Sequence, residues 1–386
     1  MAVVNGAGLR RIPWPSGWRR RAVLIGVAGV FALAAAYTIL WFVAAGSVEA
    51  RFREAVAARQ SDDVSIAYGE ITRAGFPGAL VLDIAQPVYT HRWTREDGMV
   101  ATLTWHDDRM TVRASPFRPS VLAFDWPKLA EITAEAADGR TQPPIAYHAE
   151  RAYSEVLLQD GRALPLVAEL AGVTATVSGA EAPVGALESF RLDGSYGDGA
   201  SEPSARWAFE ARKLHSDAFI PLESAALNSI DELHGVIDVY GPLPDTSSNA
   251  AMAAWREAGG RVVLDDGKLD APALKLAWQG GLKLDGEMRP VMALATTVQG
   301  LVELMKESDD GLGTSGKAAE SLTVVLLGLL SGQSDPKGPM RFDLESRDGR
   351  LYVGSELGSI RVGTVGPIDF EAPDGPLIPF SFRFRD

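Results

Sequence analysis

The chain contains no cysteine. That excludes disulfides, thiolate catalysis and cysteine-ligated metals. It does not oppose export, because 386 residues with 46% apolar side chains can bury a sizeable core without covalent staples. Histidine is scarce too. His91, His106, His148, His215 and His234 are scattered, and none forms the HxH or HxxxH pair that turns two imidazoles toward one zinc ion. No GxSxG elbow offers a nucleophilic serine. Acidic residues are missing from the first 45 positions, and basic ones are the minority afterwards. Five of the 37 Lys and Arg residues (Arg10, Arg11, Arg19, Arg20, Arg21) lie in residues 1–45, so the remainder sets 32 basic residues against 50 acidic ones. An acidic body of this kind is not built to bind nucleic acid or an anionic membrane surface through bulk charge.

What the chain does have is a long apolar run. Ala22–Ala45 reads AVLIGVAGVFALAAAYTILWFVAA, 24 residues without a charge. At about 1.5 Å per residue it reaches roughly 36 Å, against a hydrocarbon core of ~30 Å. Tyr37 and Trp41 lie toward its far end and Trp14 and Trp18 before its near end, where amphipathic rings favour the interface. Arg19–Arg21 abut the near end. The positive-inside rule then makes residues 1–21 a cytoplasmic basic tail, 22–45 a transmembrane anchor, and everything from 46 a body on the far side. The competing reading is a cleaved signal peptide with Val43-x-Ala45 as its site. Signal h-regions run about 7–15 residues, and this run continues without a break into the helical pattern VEARFREAVAARQ. The expectation is an uncleaved, single-pass signal-anchor.

After that helix the period changes from 3.6 to 2. Val64–Tyr68, Leu80–Ile84, Ala101–Trp105 and Arg109–Arg113 alternate apolar with polar residues, the mark of strands with one buried face. Hairpin dipeptides punctuate them: Asp97-Gly98, Asp138-Gly139, Asp160-Gly161, Asp266-Gly267, Asp285-Gly286 and Asp348-Gly349. The stretch 261–290 reads as three or four strands of an antiparallel meander, and Met340–Glu345 with Arg350–Gly354 as another hairpin. Helices are few: Ala250–Ala258, capped by Asn249 and ended by Gly259-Gly260, then Leu301–Lys306, then Gly316–Leu330. The apolar run Leu322–Leu330 is too short to span a bilayer and reads as a helix packed on the sheet, or else as one that dips into lipid. The fold class is mainly β (α+β): a large antiparallel, meandering and curled sheet with a few short helices. The Gly/Pro/Ser-rich stretch Gly241–Ser248 divides it into 46–245 and 246–386, which also read as one continuous body.

Several motifs imitate active sites. Gly311–Lys317 fits both GxxxxGK and GxGxxG, but Ala318 stands where a P-loop needs a hydroxyl, and Glu307–Asp310 stands where a buried strand should lead in. No nucleotide or other cofactor is expected. Trp105-His106-Asp107-Asp108 places an imidazole beside carboxylates, as acid–base chemistry requires, but it also reads as a strand running into a polar turn. No catalytic or metal-binding residue is nominated.

The anchor, the step Arg73-Ala-Gly75-Phe76-Pro77 entering a strand, and the core Trp255-Arg-Glu-Ala-Gly-Gly260 before an alternating meander resemble family 2125 of the domains of unknown function. Leu282-x-Leu284-Asp285-Gly286 followed by Arg289-Pro290 belongs to the same likeness. The family occurs in Gram-negative bacteria, so the resemblance implies an inner-membrane anchor and a periplasmic body. More distantly, the texture is similar to the AsmA-like envelope proteins, whose curled sheets offer an apolar groove to lipid. By that analogy Leu269, Ala271, Ala273, Leu274, Leu276 and Trp278 line a trough, although alternation equally describes a closed core. The function expected is non-enzymatic lipid binding or envelope homeostasis. An adaptor that recruits envelope proteins through sheet edges is the alternative. A membrane-proximal hydrolase using His106, Asp107 and Asp108 comes last.

Overall fold

The apolar run and the helical pattern after it form one element, α1 (Ser16–Arg59), a single helix of 44 residues and about 66 Å. No proline interrupts it. Its segment Leu24–Glu54, with a mean hydropathy of 2.1, is long and apolar enough to cross a membrane. This computed structural model describes residues 16–94, 99–135, 140–159, 162–180, 182–199, 201–216, 228–243, 249–300, 338–355, 358–366 and 368. The expected helices over Leu301–Lys306 and Gly316–Leu330, and the loop carrying Lys317, lie outside the described residues. So do the turns at Asp97-Gly98, Asp138-Gly139 and Asp160-Gly161.

Strands follow where period-2 alternation stands. They are β1 (Val64–Ala67), β2 (Ile71–Ala74), β3 (Leu80–Ala85), β4 (Val88–Thr94), β5 (Val100–His106), β6 (Arg109–Ser115) and β7 (Arg118–Asp125). Then come β8 (Leu129–Glu135), β9 (Thr141–His148), β10 (Arg151–Gln159), β11 (Arg162–Val177), β12 (Gly185–Tyr196), β13 (Ala205–Ser216) and β14 (Ser229–Tyr240). The second helix, α2 (Asn249–Glu257), precedes β15 (Arg261–Asp270), β16 (Lys275–Leu284), β17 (Pro290–Gln299), β18 (Met340–Arg347), β19 (Arg350–Ser355) and β20 (Gly358–Thr364). All 20 strands belong to one antiparallel sheet, and β14 pairs with β15 across the Gly241–Ser248 stretch.

The pairing has a simple logic. One series runs β2–β3–β6–β7–β10 and a second runs β1–β4–β5–β8–β9, and both end on the long β11. Consecutive elements such as β3 and β4, or β5 and β6, are therefore two halves of one long strand, each interrupted at the same level. The interruptions are Tyr68–Glu70, Gln86-Pro87, Asp107-Asp108, Trp126–Lys128 and Ala149-Glu150, and backbone bonds such as Gln86 N to Asp108 O (2.9 Å) and Ala149 N to Lys128 O (2.8 Å) stitch them together. β11 crosses that level intact, with Gly172 at φ +57°. From β11 to β20 the sheet is a plain up-and-down meander.

Two expectations need correction. The sheet is open and not strongly curled: among the described residues, β1 and β2 end it on one side and β20 on the other. Closure would fold the sheet over its apolar face, and at β3, β6 and β7 that space is taken by α1. The Asp266-Gly267 turn is absent too, because β15 runs straight through it with a register shift between Leu264 and Gly267, a β-bulge with Asp266 at φ +48°. Residues 261–290 accordingly hold two strands and the start of a third. Asp348-Gly349 is the expected two-residue turn, with φ of +51° and +67° as a type I′ hairpin demands.

α1 changes character along its length. From Leu24 to Ala36 every side chain is exposed; from Tyr37 on, Trp41, Ala45 and Val48 are buried at spacings of four and three, a single stripe. That stripe packs on Leu80, Leu82 and Ile84 of β3 and on Met110, Val112 and Ala114 of β6. Just beyond, Glu49 accepts hydrogen bonds from Arg73 of β2 (2.7 Å) and from Arg53 (3.0 Å). Those two bonds, Arg73's the larger, hold the Glu49 carboxyl below its ordinary 4.5. A carboxyl lowered by folding stabilises the fold above its unfolded pKa and stops doing so as pH falls through the folded one. The gap in melting temperature between the native protein and Glu49→Gln should be open at pH 7 and close below pH 4.5; a gap independent of pH would contradict the clasp.

Candidate functional site

Alternation along each strand, combined with the pairing register, sorts the sheet into two unlike faces. One line of directly paired residues starts under α1 at Leu82 and passes through Val112, Phe124, Ser154, Ala168, Leu192 and Phe209. A neighbouring line continues through Phe190, Ala211, Leu233, Leu269, Leu276, Val298 and Met340. With neighbouring strands about 4.8 Å apart, these lines run for tens of ångströms across the sheet. The other face is charged. Glu169 bridges Arg151 (2.7 Å) and Arg191 (2.6 Å), and Glu232 binds Lys268, whose neighbour Asp270 reaches Lys275 (3.4 Å). Ion pairs exposed like this add little stability. Their arrangement does fix which face water sees.

The apolar face is not evenly packed. Leu80, Leu82, Ile84 and Val112 under α1 are at most 1% exposed. At the other end α2 covers Ala205, Val239 and Leu284 with Met252 and Trp255. Between the two helices, Phe190, Leu192, Phe209, Leu233, Leu276 and Trp278 are only half-buried, and Leu170 is 38% exposed. Aromatic rings lie flat there over bare backbone: a Cβ at Gly267 would run into the Trp278 indole, and one at Gly235 would stand 3.0 Å from the Phe209 ring. Of the residues nominated for a trough, Leu269, Leu276 and Trp278 stand on this face. Ala271, Ala273 and Leu274 do not continue it, since they form the β15–β16 turn, closed by Ala271 N to Leu274 O (2.8 Å).

The polar cluster at the strand interruptions has its own cleft, about 600 Å³, lined by Tyr68, Gln86, Thr104, His106, Asp107, Asp108 and Leu129 among others. Its carboxylate is committed to backbone. Asp107 accepts from the amides of Asp108 (2.7 Å) and Lys128 (3.0 Å), capping groups that the broken strands leave unpaired. Among the described residues no group of His, Asp and Glu is arranged to hold a metal ion. Asp107 thus caps the strand break.

Comparison with known proteins decides the family. Residues 41–365 match the family described as an uncharacterized protein conserved in bacteria, DUF2125. The chain belongs to that family. No curated protein and no solved structure matches it. The DUF2125 match begins at Trp41, the first residue of α1 that the sheet buries. The sequence features that suggested the family have structural work to do. Phe76, in the β2–β3 turn, packs edge-on against Trp41 with ring centroids 5.4 Å apart. Arg256, near the end of α2, donates to the carbonyls of Asp285 (3.0 Å) and Gly286 (3.2 Å), so the second and third motifs clasp each other. Burial alone would raise the Asp285 carboxyl, but the backbone amides of Arg289 and Glu287 and the Arg289 guanidinium outweigh it and hold the group below its ordinary value. The covered, open and covered sections that the apolar face shows among the described residues leave no signal in the sequence, because they depend on pairings between distant strands.

Proposed function

We propose that this DUF2125 protein is a non-enzymatic lipid-binding protein of the bacterial envelope, anchored by α1 in the inner membrane with its N-terminus cytoplasmic and its sheet periplasmic. The carrying observation is the apolar face that starts under the membrane-crossing helix and is only half-buried at Phe190, Leu192, Phe209, Leu233 and Leu276. Apolar faces of this extent need a cover, and acyl chains supply one at about 0.8 kcal/mol per buried methylene. The arginines at the near end of the apolar run and the acidic body beyond it support the orientation. The likeness in texture to AsmA-like proteins supports the ligand class. The carboxylate of Asp107, spent on backbone amides, weighs against the hydrolase reading.

The competing cover is the chain's own apolar run Leu322–Leu330. Purification of the full chain into lipid-free amphipol after exhaustive detergent exchange, followed by solvent extraction, separates the two. Phospholipid or fatty acid near one equivalent or more supports the proposal. A lipid-free protein with unchanged fold would leave the adaptor reading, through the open edges at β20 and at β1 and β2.

A further inference from the structure

An anchored α1 fixes how the sheet meets the bilayer. From Ala22, the first residue after Arg19–Arg21, about 20 helical residues cover a hydrocarbon core of ~30 Å and reach Trp41. The sheet does not wait for α1 to leave that layer. The Tyr37 hydroxyl donates to the carbonyl of Pro77 in the β2–β3 turn. The ring of Phe76 in the same turn lies 5.4 Å from Trp41 and 6.1 Å from Phe42. The turn therefore sits at the level where the apolar layer ends, while Ile39, Leu40 and Val43 on the other side of the helix remain exposed.

The next turn on that rim is built the same way. β3 pairs with β6, Leu80 opposite Ala114, so the β2–β3 and β6–β7 turns close neighbouring strand ends. The β6–β7 turn consists of Pro116 and Phe117, and Phe117 is 85% exposed, with no aromatic partner among the described residues and Arg118 directly after it. A large ring held out at a hairpin tip, next to a cation, has the apolar-plus-basic composition of surfaces that lie in the membrane interface. Phe76 is itself 48% exposed, so both tips still present apolar surface.

We propose that the rim formed by the β2–β3 and β6–β7 turns is a second membrane contact, with Phe76 and Phe117 seated in the interface of the bilayer leaflet where α1 emerges. It rests on the reading of α1 as an anchor. The occupant is the lipid interface itself, argued from continuity with the helix that crosses it. Seated so, the rim fixes the apolar face upright over the leaflet.

The absence of native cysteine makes the test clean. Single-cysteine variants Phe31→Cys, Phe117→Cys and Asp265→Cys of the full chain are labelled with an environment-sensitive dye. They are then reconstituted into phosphatidylcholine nanodiscs carrying a lipid-borne quencher. Phe117 is too exposed for its loss to disturb packing. The proposal expects the label at 117 to shift to the blue and be quenched to nearly the extent seen at 31, while 265, exposed in β15, behaves as in water. Quenching at 31 with a water-like signal at 117 would overturn the rim contact and leave the anchor standing. Water-like signals at both would overturn the anchor reading and the rim with it.

Discussion

Leu276→Asp and Leu192→Asp are expected to strip bound lipid from the protein without unfolding it, whereas Leu82→Asp is expected to unfold the sheet. The three leucines share one apolar face and differ in what covers them. Leu82 is 1% exposed beneath α1. An unpaired carboxylate there costs several kcal/mol, a large part of the roughly 5–15 kcal/mol that holds a domain together. Leu192 stands between Ala168 and Phe209, and Leu276 between Leu269 and Val298, on the half-buried section. A charge at either position keeps part of its water while removing the apolar surface that an acyl chain would use. Solvent extraction reads the first effect and circular dichroism the second. Lipid retained in both half-buried variants would place it elsewhere, and unfolding of both would mean that this section is a packed core.

The second large effect is expected at α2. Trp255 is 4% exposed and packs with Met252, Ala205, Val239 and Leu284, its indole lying so close over Gly260 that no Cβ fits there. Truncating a tryptophan in such a site typically costs about 3–5 kcal/mol, through lost burial and the cavity left behind. Trp255→Ala should therefore lower the urea midpoint strongly. Arg256→Ala should cost less, about 1–3 kcal/mol for two carbonyls left without a donor. Midpoints within error of the native protein for both would show that α2 does not hold this end of the sheet. Loss of lipid in step with stability would make α2 a lid on the apolar face as well as its plug.

Much of this architecture is legible in the sequence, and the illegible parts have physical reasons. Strands such as β3, β5, β6, β18 and β19 stand where alternation places them, because one face of each meets apolar neighbours. Helix α2 starts at Asn249, and Gly259 at φ +80° follows its end, as the capping residues indicate. Asp266-Gly267 misleads because the same dipeptide serves a hairpin and a bulge; here the missing Cβ makes room for Trp278 on the next strand. Asp107-Asp108 and Gln86-Pro87 look like turns between separate strands, and only pairing with distant partners reveals them as breaks within long ones. The stripe Trp41, Ala45, Val48 is invisible for a different reason. In a run that is apolar all round, a buried side has no contrast with a lipid-facing one. The open section of the apolar face is hidden as well, since alternation requires an apolar face and does not say what lies on it.

Photocrosslinking can read what lies against each face of the sheet. A photoreactive amino acid is introduced into the full chain in its native membrane at Leu192, Leu233 and Leu276, and in parallel at Arg191, Glu232 and Lys275 on the opposite face. Lipid adducts, read by mass spectrometry, are expected at the first three positions and none at the other three. Adducts from Leu192, Leu233 and Leu276 to residues 301–337 of the same chain, with no lipid among them, would contradict the proposed lipid binding.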